Sequence, residues 1–89
     1  MKRPNSAPKV KKWVCSPHAL KRIEERKITV EELTQIIEVP EIQIQQGPKW
    51  IFAKTILKRK DNLLAAVLLE RKDHDLWLVI TVMVNFQKK

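Results

Sequence analysis

Three side chains that could take part in catalysis recur every four residues in the N-terminal part of the chain: His18, Arg22 and Arg26. On an α-helix of about 3.6 residues per turn, this spacing places them in one stripe. A neutral imidazole can act as a general base, and guanidinium groups can hold phosphate oxygens. The stripe therefore predicts metal-independent cleavage of RNA, in which histidine removes the 2′-hydroxyl proton and arginine stabilises the charge on phosphorus.

The same stripe has a plainer interpretation as an ordinary charged helix face. Arg22 and Arg26 would then pair with Glu25 or with other acids, and His18 would pack beside an aromatic residue or a proline. Charged stripes on short surface helices are common, so spacing alone favours this interpretation.

Two further candidates are residues whose types are unexpected in their surroundings. Lys54 shares a predicted strand face with Trp50, Phe52 and Ile56. Its amine could contact phosphate or act as a general acid, or it could reach water over an apolar stem. Thr81 interrupts the most apolar predicted strand; it either offers a hydroxyl or is an ordinary β-branched strand residue.

Metal and cofactor sites find little support in the sequence. Cys15 and His18 have ligand-like spacing, but His74 is the one other histidine and no second pair exists. A chain with one glycine cannot build a glycine-rich phosphate loop. We therefore expect neither a metal nor a cofactor.

Two short helices and then a sheet are expected to position these side chains. Ser16 and the following proline form a good helix start, and we predict a helix over residues 17–26. Thr29 and Glu32 form a capping box that opens a second helix, which continues to Glu38 before Pro40 stops it.

After Pro40 the apolar pattern changes to a period of two, which is typical of strands. The predicted strands cover residues 42–45, 50–58, 63–71 and 76–86, and residues 13–15 could add a fifth. Short polar turns between them indicate an antiparallel meander. The predicted fold class is α+β: two N-terminal α-helices on one face of a four-stranded, or five-stranded, antiparallel sheet.

The last predicted strand is apolar on both faces. Strict alternation assigns Leu76, Leu78, Ile80, Val82 and Val84 to one face, and Trp77, Val79 and Met83 to the other. Two short helices can cover only one face, so we expect a partner protein or self-association to cover the second.

The chain carries a net charge of +8, and much of this charge precedes residue 13. We predict a flexible basic arm over residues 1–12 and a single α+β domain over residues 13–89. The arm could contact phosphates or could simply aid solubility. No segment is apolar enough to cross a membrane or to act as a signal peptide, and a lone cysteine fits a reducing cytoplasm.

Residues 16–29 and the closing strand resemble a known bacterial family. The sequence SPHALKRIEERKIT, the later Pro40 and the strand LWLVITV are similar to the domain-of-unknown-function family numbered 4258, over about residues 14–83. That resemblance implies a RelE-like or barnase/colicin-type fold and a toxin-like ribonuclease. It places function at the helix positions His18, Arg22 and Arg26, at the middle-strand Lys54 and at the strand residue Thr81.

Three functions remain open at this level. The first is a metal-independent endoribonuclease of the toxin type, whose partners would be RNA and an antitoxin protein. The second is a non-catalytic module that binds RNA or protein through the arm and the stripe. The third is a homo-oligomeric scaffold whose apolar sheet face is the interface.

Overall fold

The computed structural model describes residues 8–71 and 76–87. Within them the elements are β1 (Trp13–Cys15), α1 (Pro17–Glu25), α2 (Val30–Glu38), β2 (Ile42–Gln46), β3 (Lys49–Lys54), β4 (Leu64–Arg71) and β5 (Leu76–Met83). The strands form one sheet in the order β1-β5-β4-β3-β2. The chain therefore folds as an α+β domain, as predicted, with two helices and a five-stranded sheet.

Both helices begin where their capping residues predict. The Ser16 hydroxyl accepts a hydrogen bond from the Ala19 amide at 3.0 Å at the start of α1. At the start of α2, the Thr29 hydroxyl accepts from the Glu32 amide at 3.1 Å, and the Glu32 carboxylate accepts from the Thr29 amide at 3.0 Å. These local bonds satisfy amides that the first helical turn leaves free.

The turn after α1 reverses the chain toward α2. Lys27 has a φ of 56°, which lies in the left-handed region. The Ile28 amide bonds to the Ile23 carbonyl at 3.0 Å, and the Lys27 amide bonds to the Glu24 carbonyl at 3.2 Å. This pair of bonds is the Schellman motif, here closed by a lysine instead of the usual glycine.

The predicted all-antiparallel sheet is wrong for one strand. β2 to β5 form an antiparallel meander, but β1 pairs with β5 in parallel, with Trp13 opposite Trp77. The Lys12 carbonyl accepts from the Trp77 amide at 3.0 Å, and the Ser16 amide donates to the Val79 carbonyl at 2.9 Å. These contacts between distant residues fix the direction of β1, and no local signal encodes them.

β3 and β5 end earlier than predicted. β3 stops at Lys54 because the next segment turns around the Asn62 side chain. Its Oδ1 accepts from the Ile56 amide at 2.8 Å, and its Nδ2 donates to the carbonyls of Ile56 and Arg59 at 3.0 and 2.6 Å. β5 stops at Met83.

The main core joins both helices to alternate residues of the strands. Its buried helix residues include Ala19 from α1 and Ile36 from α2, and its buried strand residues include Phe52, Leu68 and Val79. We call the sheet face that carries these strand residues the helix-side face. A smaller cluster centred on Ile51, Ala53 and Ala65 occupies the opposite sheet face, which we call the second face.

A bulge in β5 corrects the predicted assignment of its two faces. Leu68 pairs with Val79, but the preceding Val67 pairs with Thr81, so Ile80 is an extra residue in the ladder. As a result, Trp77, Val79 and Val82 all belong to the main core, although strict alternation separates Val82 from the other two. The Ser16 hydroxyl donates to the Ile80 carbonyl at 3.0 Å and so satisfies a group at the bulge.

The second face is lined by apolar residues that are only partly buried. Ile42, Ile44, Val67, Met83 and Phe86 pack around its central cluster, and Val14 in β1 is exposed. Among the described residues, no helix residue belongs to this cluster. That a partner or a second copy covers the face stays a prediction.

Candidate functional site

The start of α1 is fixed to the sheet, and this orients the predicted stripe. Ser16 holds the bulge of β5 while Ala19, one turn later, is fully buried in the main core. His18 lies between them in sequence, and its side chain is exposed. The helix therefore presents His18 to solvent.

Arg22 is paired, as the plainer interpretation of the stripe predicts. Its Nη1 lies 2.8 Å from Oε1 of Glu25. The two side chains retain 37% and 42% of their exposure, so water screens this pair and the pair adds little stability. An incoming phosphate could therefore compete with Glu25 for the guanidinium group.

Arg26 lies at the C-terminal cap of α1 in an unusual electrostatic setting. Its Nε is buried and has no hydrogen-bond acceptor among the described residues. Its carbonyl oxygen accepts from Nη2 of Arg59 at 2.9 Å. Two guanidinium-bearing residues thus meet at the end of one helix.

Arg59 is the centre of a clamp that sequence reasoning missed. Its guanidinium donates to the carbonyls of Arg26 and Lys27 and to the carboxylates of Glu32 and Asp61, at 2.7–3.0 Å. The side chain keeps 16% of its exposure. It joins the end of α1, the start of α2 and the loop before β4.

The clamp also changes the acid–base behaviour of its members. The hydrogen bond from Arg59 holds the pKa of the Asp61 carboxyl below its usual value. The same bond, together with the nearby charge of Glu32, raises the pKa of Arg59. In the sequence, the spacing of Arg59 and Asp61 within the 58–62 turn indicates their own ion pair. It does not indicate the contacts of Arg59 with the end of α1 and with Glu32.

Lys54 is the last residue of β3. It pairs in register with Leu64, which is buried in the main core, so Lys54 belongs to the helix-side face as predicted. Its neighbours are on α2 and the following loop: it lines a cavity with Gln35 and Glu41. It does not line this cavity together with any residue of α1.

Thr81 lies on the second face. It pairs in register with Val67, which packs on the second-face cluster. Its hydroxyl is 3.5 Å from the Val82 carbonyl, which is a long contact for a hydroxyl donor. The sheet therefore separates Thr81 from His18, since α1 packs on the other face.

The five predicted residues are thus divided among three places. The first place is α1 and its C-terminal cap, with His18, Arg22 and Arg26. Lys54 lies in the cavity beside α2, and Thr81 lies on the second face of the sheet. The structure places His18 and Arg22 on α1 and Arg26 at its C-terminal cap, and it does not bring Lys54 or Thr81 to them.

A second basic surface is formed by the residues that precede β1. Lys9, Lys11 and Lys12, which we call the lysine segment, are exposed around Val10, which is 3% exposed and belongs to the main core. The Pro8 carbonyl accepts from Nε2 of Gln43 at 3.2 Å. Residues 8–12 of the predicted arm therefore lie against the domain, and residues 1–7 lie outside the described residues.

One aromatic side chain, Trp77, adjoins the lysine segment. Its three lysines and Trp77 line a hollow of about 150 Å³. Trp77 also lines a neighbouring hollow of about 240 Å³, which contains the partly exposed Trp50. Many proteins bind single-stranded nucleic acids through lysines that lie beside aromatic rings.

The remaining candidates form no additional site. Burial raises the pKa of the Cys15 thiol, which makes it a weaker nucleophile at neutral pH. Among the described residues, no group of three or more His, Cys, Asp or Glu could hold a metal ion; His74 lies outside them. No helix in the described part of the chain is long and apolar enough to span a membrane.

Fold and surface together define a small α+β domain with a basic helix stripe and a basic N-terminal edge. Residues 15–84 match the family described as Domain of unknown function (DUF4258), and the chain belongs to this family. No curated protein and no solved structure matches the chain. The resemblance noted in the sequence is confirmed at the level of the family.

Proposed function

We propose that the domain binds single-stranded RNA through the lysine segment. The observation that supports this proposal is the burial of Val10 in the main core, because it holds the three neighbouring lysines on the surface. A lysine held in place loses less conformational freedom on binding than one in a loose tail. Each contact with phosphate also releases counterions, which favours association at low salt.

The surroundings of the segment suit unpaired bases better than a duplex. Trp77, the residue that joins the hollow of the lysines to its neighbour, is buried, whereas Trp50 in the neighbouring hollow is partly exposed, and the exposed part of its ring can stack on any base. The net charge of +8 adds a long-range attraction for any polyanion. The proposal therefore combines phosphate contacts with base stacking.

Replacement of Lys9, Lys11 and Lys12 by glutamine is expected to weaken RNA binding by about tenfold at low salt. The slope of log Kd against log salt should fall by about 2, since each contact with a single strand contributes about 0.7. Fluorescence anisotropy with a labelled, unstructured RNA measures both quantities.

The matched control replaces by glutamine three exposed lysines that lie apart from the segment and from its neighbouring tryptophans, Lys21, Lys27 and Lys60. It carries the same net charge as the test variant. If both triple variants lose the same affinity and slope, binding reflects overall charge, and the proposed surface is wrong.

A second proposal is RNA cleavage by a RelE-like domain. It is favoured by the exposed position of His18 in the first turn of α1, one turn before Arg22, whose partner Glu25 is easily displaced. His18 would take the proton of a 2′-hydroxyl as its oxygen attacks the adjacent phosphorus. The bond to the 5′-oxygen breaks, this oxygen takes up a proton, and a 2′,3′-cyclic phosphate remains.

The RelE-like fold is part of this second proposal. It is supported by the element order of two helices followed by the antiparallel strands β2 to β5. In the proposal His18 is the base and Arg22 binds phosphate, while Arg26 supports the stripe. Thr81 has no role in it, because it lies on the second face.

The His18→Ala variant is expected to cleave RNA at least about a hundredfold more slowly than the parent protein in EDTA, the usual minimum for losing a general base. Lys21→Ala, an exposed change on the same helix, should leave the rate unchanged. Gel analysis of the 3′ ends checks for the cyclic phosphate. Equal rates for parent and His18→Ala, or no cleavage by either, would remove the catalytic proposal.

A further inference from the structure

A cavity of about 440 Å³ lies between α2 and the end of β3. Its volume falls in the range of roughly 300–1,000 Å³ that is usual for small-molecule sites. The lining residues are Gln35, Glu41, Lys54, Thr55, Ile56 and Leu57. The cavity thus offers a cation, a carboxylate, a side-chain amide and an apolar wall to one occupant.

The opposite charges of Lys54 and Glu41 are held apart, although β2 and β3 are adjacent. The Glu41 amide bonds to the Ala53 carbonyl at 2.9 Å, and its Oε1 accepts from the Thr55 amide at 3.1 Å. This bond turns the carboxylate toward the strand end. Among the described residues, Lys54 and Glu41 form no ion pair, so the Lys54 ammonium, Oε2 of Glu41 and the second lone pair of its Oε1 remain available to a ligand.

We propose that this cavity binds a guanine nucleotide of RNA, with its phosphate on Lys54 and its base on Glu41. The inference rests on the proposed RNA binding and names the nucleotide that the domain selects. A lysine ammonium is a suitable point charge for phosphate. Leu57, at 85% exposure, forms an apolar edge against which the base can lie.

The carboxylate decides which base fits. An ionised carboxylate only accepts hydrogen bonds. The Watson–Crick edge of guanine presents two neighbouring N–H donors, and single-stranded RNA exposes this edge. Adenine, cytosine and uracil each place an acceptor beside their donor, which would face the carboxylate unfavourably. The Gln35 amide can then donate to the guanine carbonyl.

Two lysines of the lysine segment adjoin the end of α2, the helix that supplies Gln35 to this cavity. Lys9 and Lys11 line a hollow of about 330 Å³ together with Glu38 at the end of α2. Glu38 and Gln35 are three residues apart on this helix and therefore neighbours on its surface. An RNA strand held by the lysines can thus pass over the last turn of α2 and place one nucleotide in the cavity.

Titration of the full chain with each of the four nucleoside 5′-monophosphates, followed by amide NMR shifts, tests the proposal. GMP should bind about tenfold more tightly than AMP, CMP or UMP, as expected for one good bidentate contact. Glu41→Gln should remove this preference, because the amide places a donor against the base. Lys54→Met, which keeps the apolar stem, should weaken the binding of all four nucleotides about equally.

The controls are Glu31→Gln and Lys49→Met, which make the same changes at exposed positions outside the cavity. Both should bind like the parent protein. Equal binding of the four nucleotides, or a GMP preference that survives Glu41→Gln, overturns the guanine site. A free amino acid that binds where GMP does not also overturns it.

The two proposals can fail separately. RNA binding that depends on the lysine segment, without GMP binding, removes the cavity proposal and leaves the proposed function. GMP binding that depends on Glu41, without RNA binding, removes the proposed function and supports a site for free nucleotides.

Discussion

Replacement of Arg59 by alanine is expected to lower the free energy of unfolding by about 2–4 kcal/mol, which corresponds to a melting temperature lower by about 10–25 °C. The arginine is mostly buried and donates to two carboxylates and two carbonyls. Its loss leaves Glu32 and Asp61 without their cation and leaves the carbonyls at the end of α1 without donors. Urea and thermal unfolding, followed by circular dichroism, measure the change.

Two variants define the origin of this effect. Arg59→Lys keeps the charge but loses the fork of donors, so it should retain only a minor part of the stabilisation. Lys60→Ala, at the exposed neighbouring position, should stay within about 0.5 kcal/mol of the parent protein. If Arg59→Ala unfolds like Lys60→Ala, the clamp contributes nothing to the stability of the fold.

The helix starts could be predicted because their determinants are local. The N-cap of α1 is read from Ser16 and the proline after it, and the capping box of α2 from Thr29 and Glu32. Both signals act within four residues, so one stretch of sequence contains the whole interaction. For the same reason, the spacing of His18, Arg22 and Arg26 on α1 could be predicted.

The position of Thr81 could not be predicted, because one extra residue in β5 decides it. Strict alternation would place Thr81 on the same face as Val79, which is the helix-side face. The bulge at Ile80 moves it to the second face, away from α1. The bulge interacts with Ser16, 64 positions away in the chain, and no pattern within β5 reveals that contact.

Arg59 and Val10 were missed for a related reason. Each lies among charged residues in a segment whose composition is typical of a solvated turn or tail. Their partners belong to other elements: Arg59 contacts the α1–α2 junction, and Val10 joins the main core. Both basic segments are therefore tied to the domain by long-range contacts.

Val10→Asp is expected to release the lysine segment from the domain. A carboxylate at a position of 3% exposure would be buried without a partner, and detachment of the segment costs less. The free energy of unfolding should fall by about 1.5–3 kcal/mol, the stabilisation from burying a valine side chain. RNA binding should weaken by roughly tenfold although every lysine is present, because the lysines must now be ordered on binding.

Hydrogen exchange distinguishes this local release from general loosening. The Trp77 amide bonds to the Lys12 carbonyl and should lose protection, whereas the Ser16 amide on Val79 should keep it. Val30→Asp is the matched control: it has the same charge change at a valine with 71% exposure, in the first turn of α2, where an acid is favourable. If Val10→Asp melts, exchanges and binds RNA like Val30→Asp, the lysines are not held through Val10, and the proposed RNA surface loses its anchor.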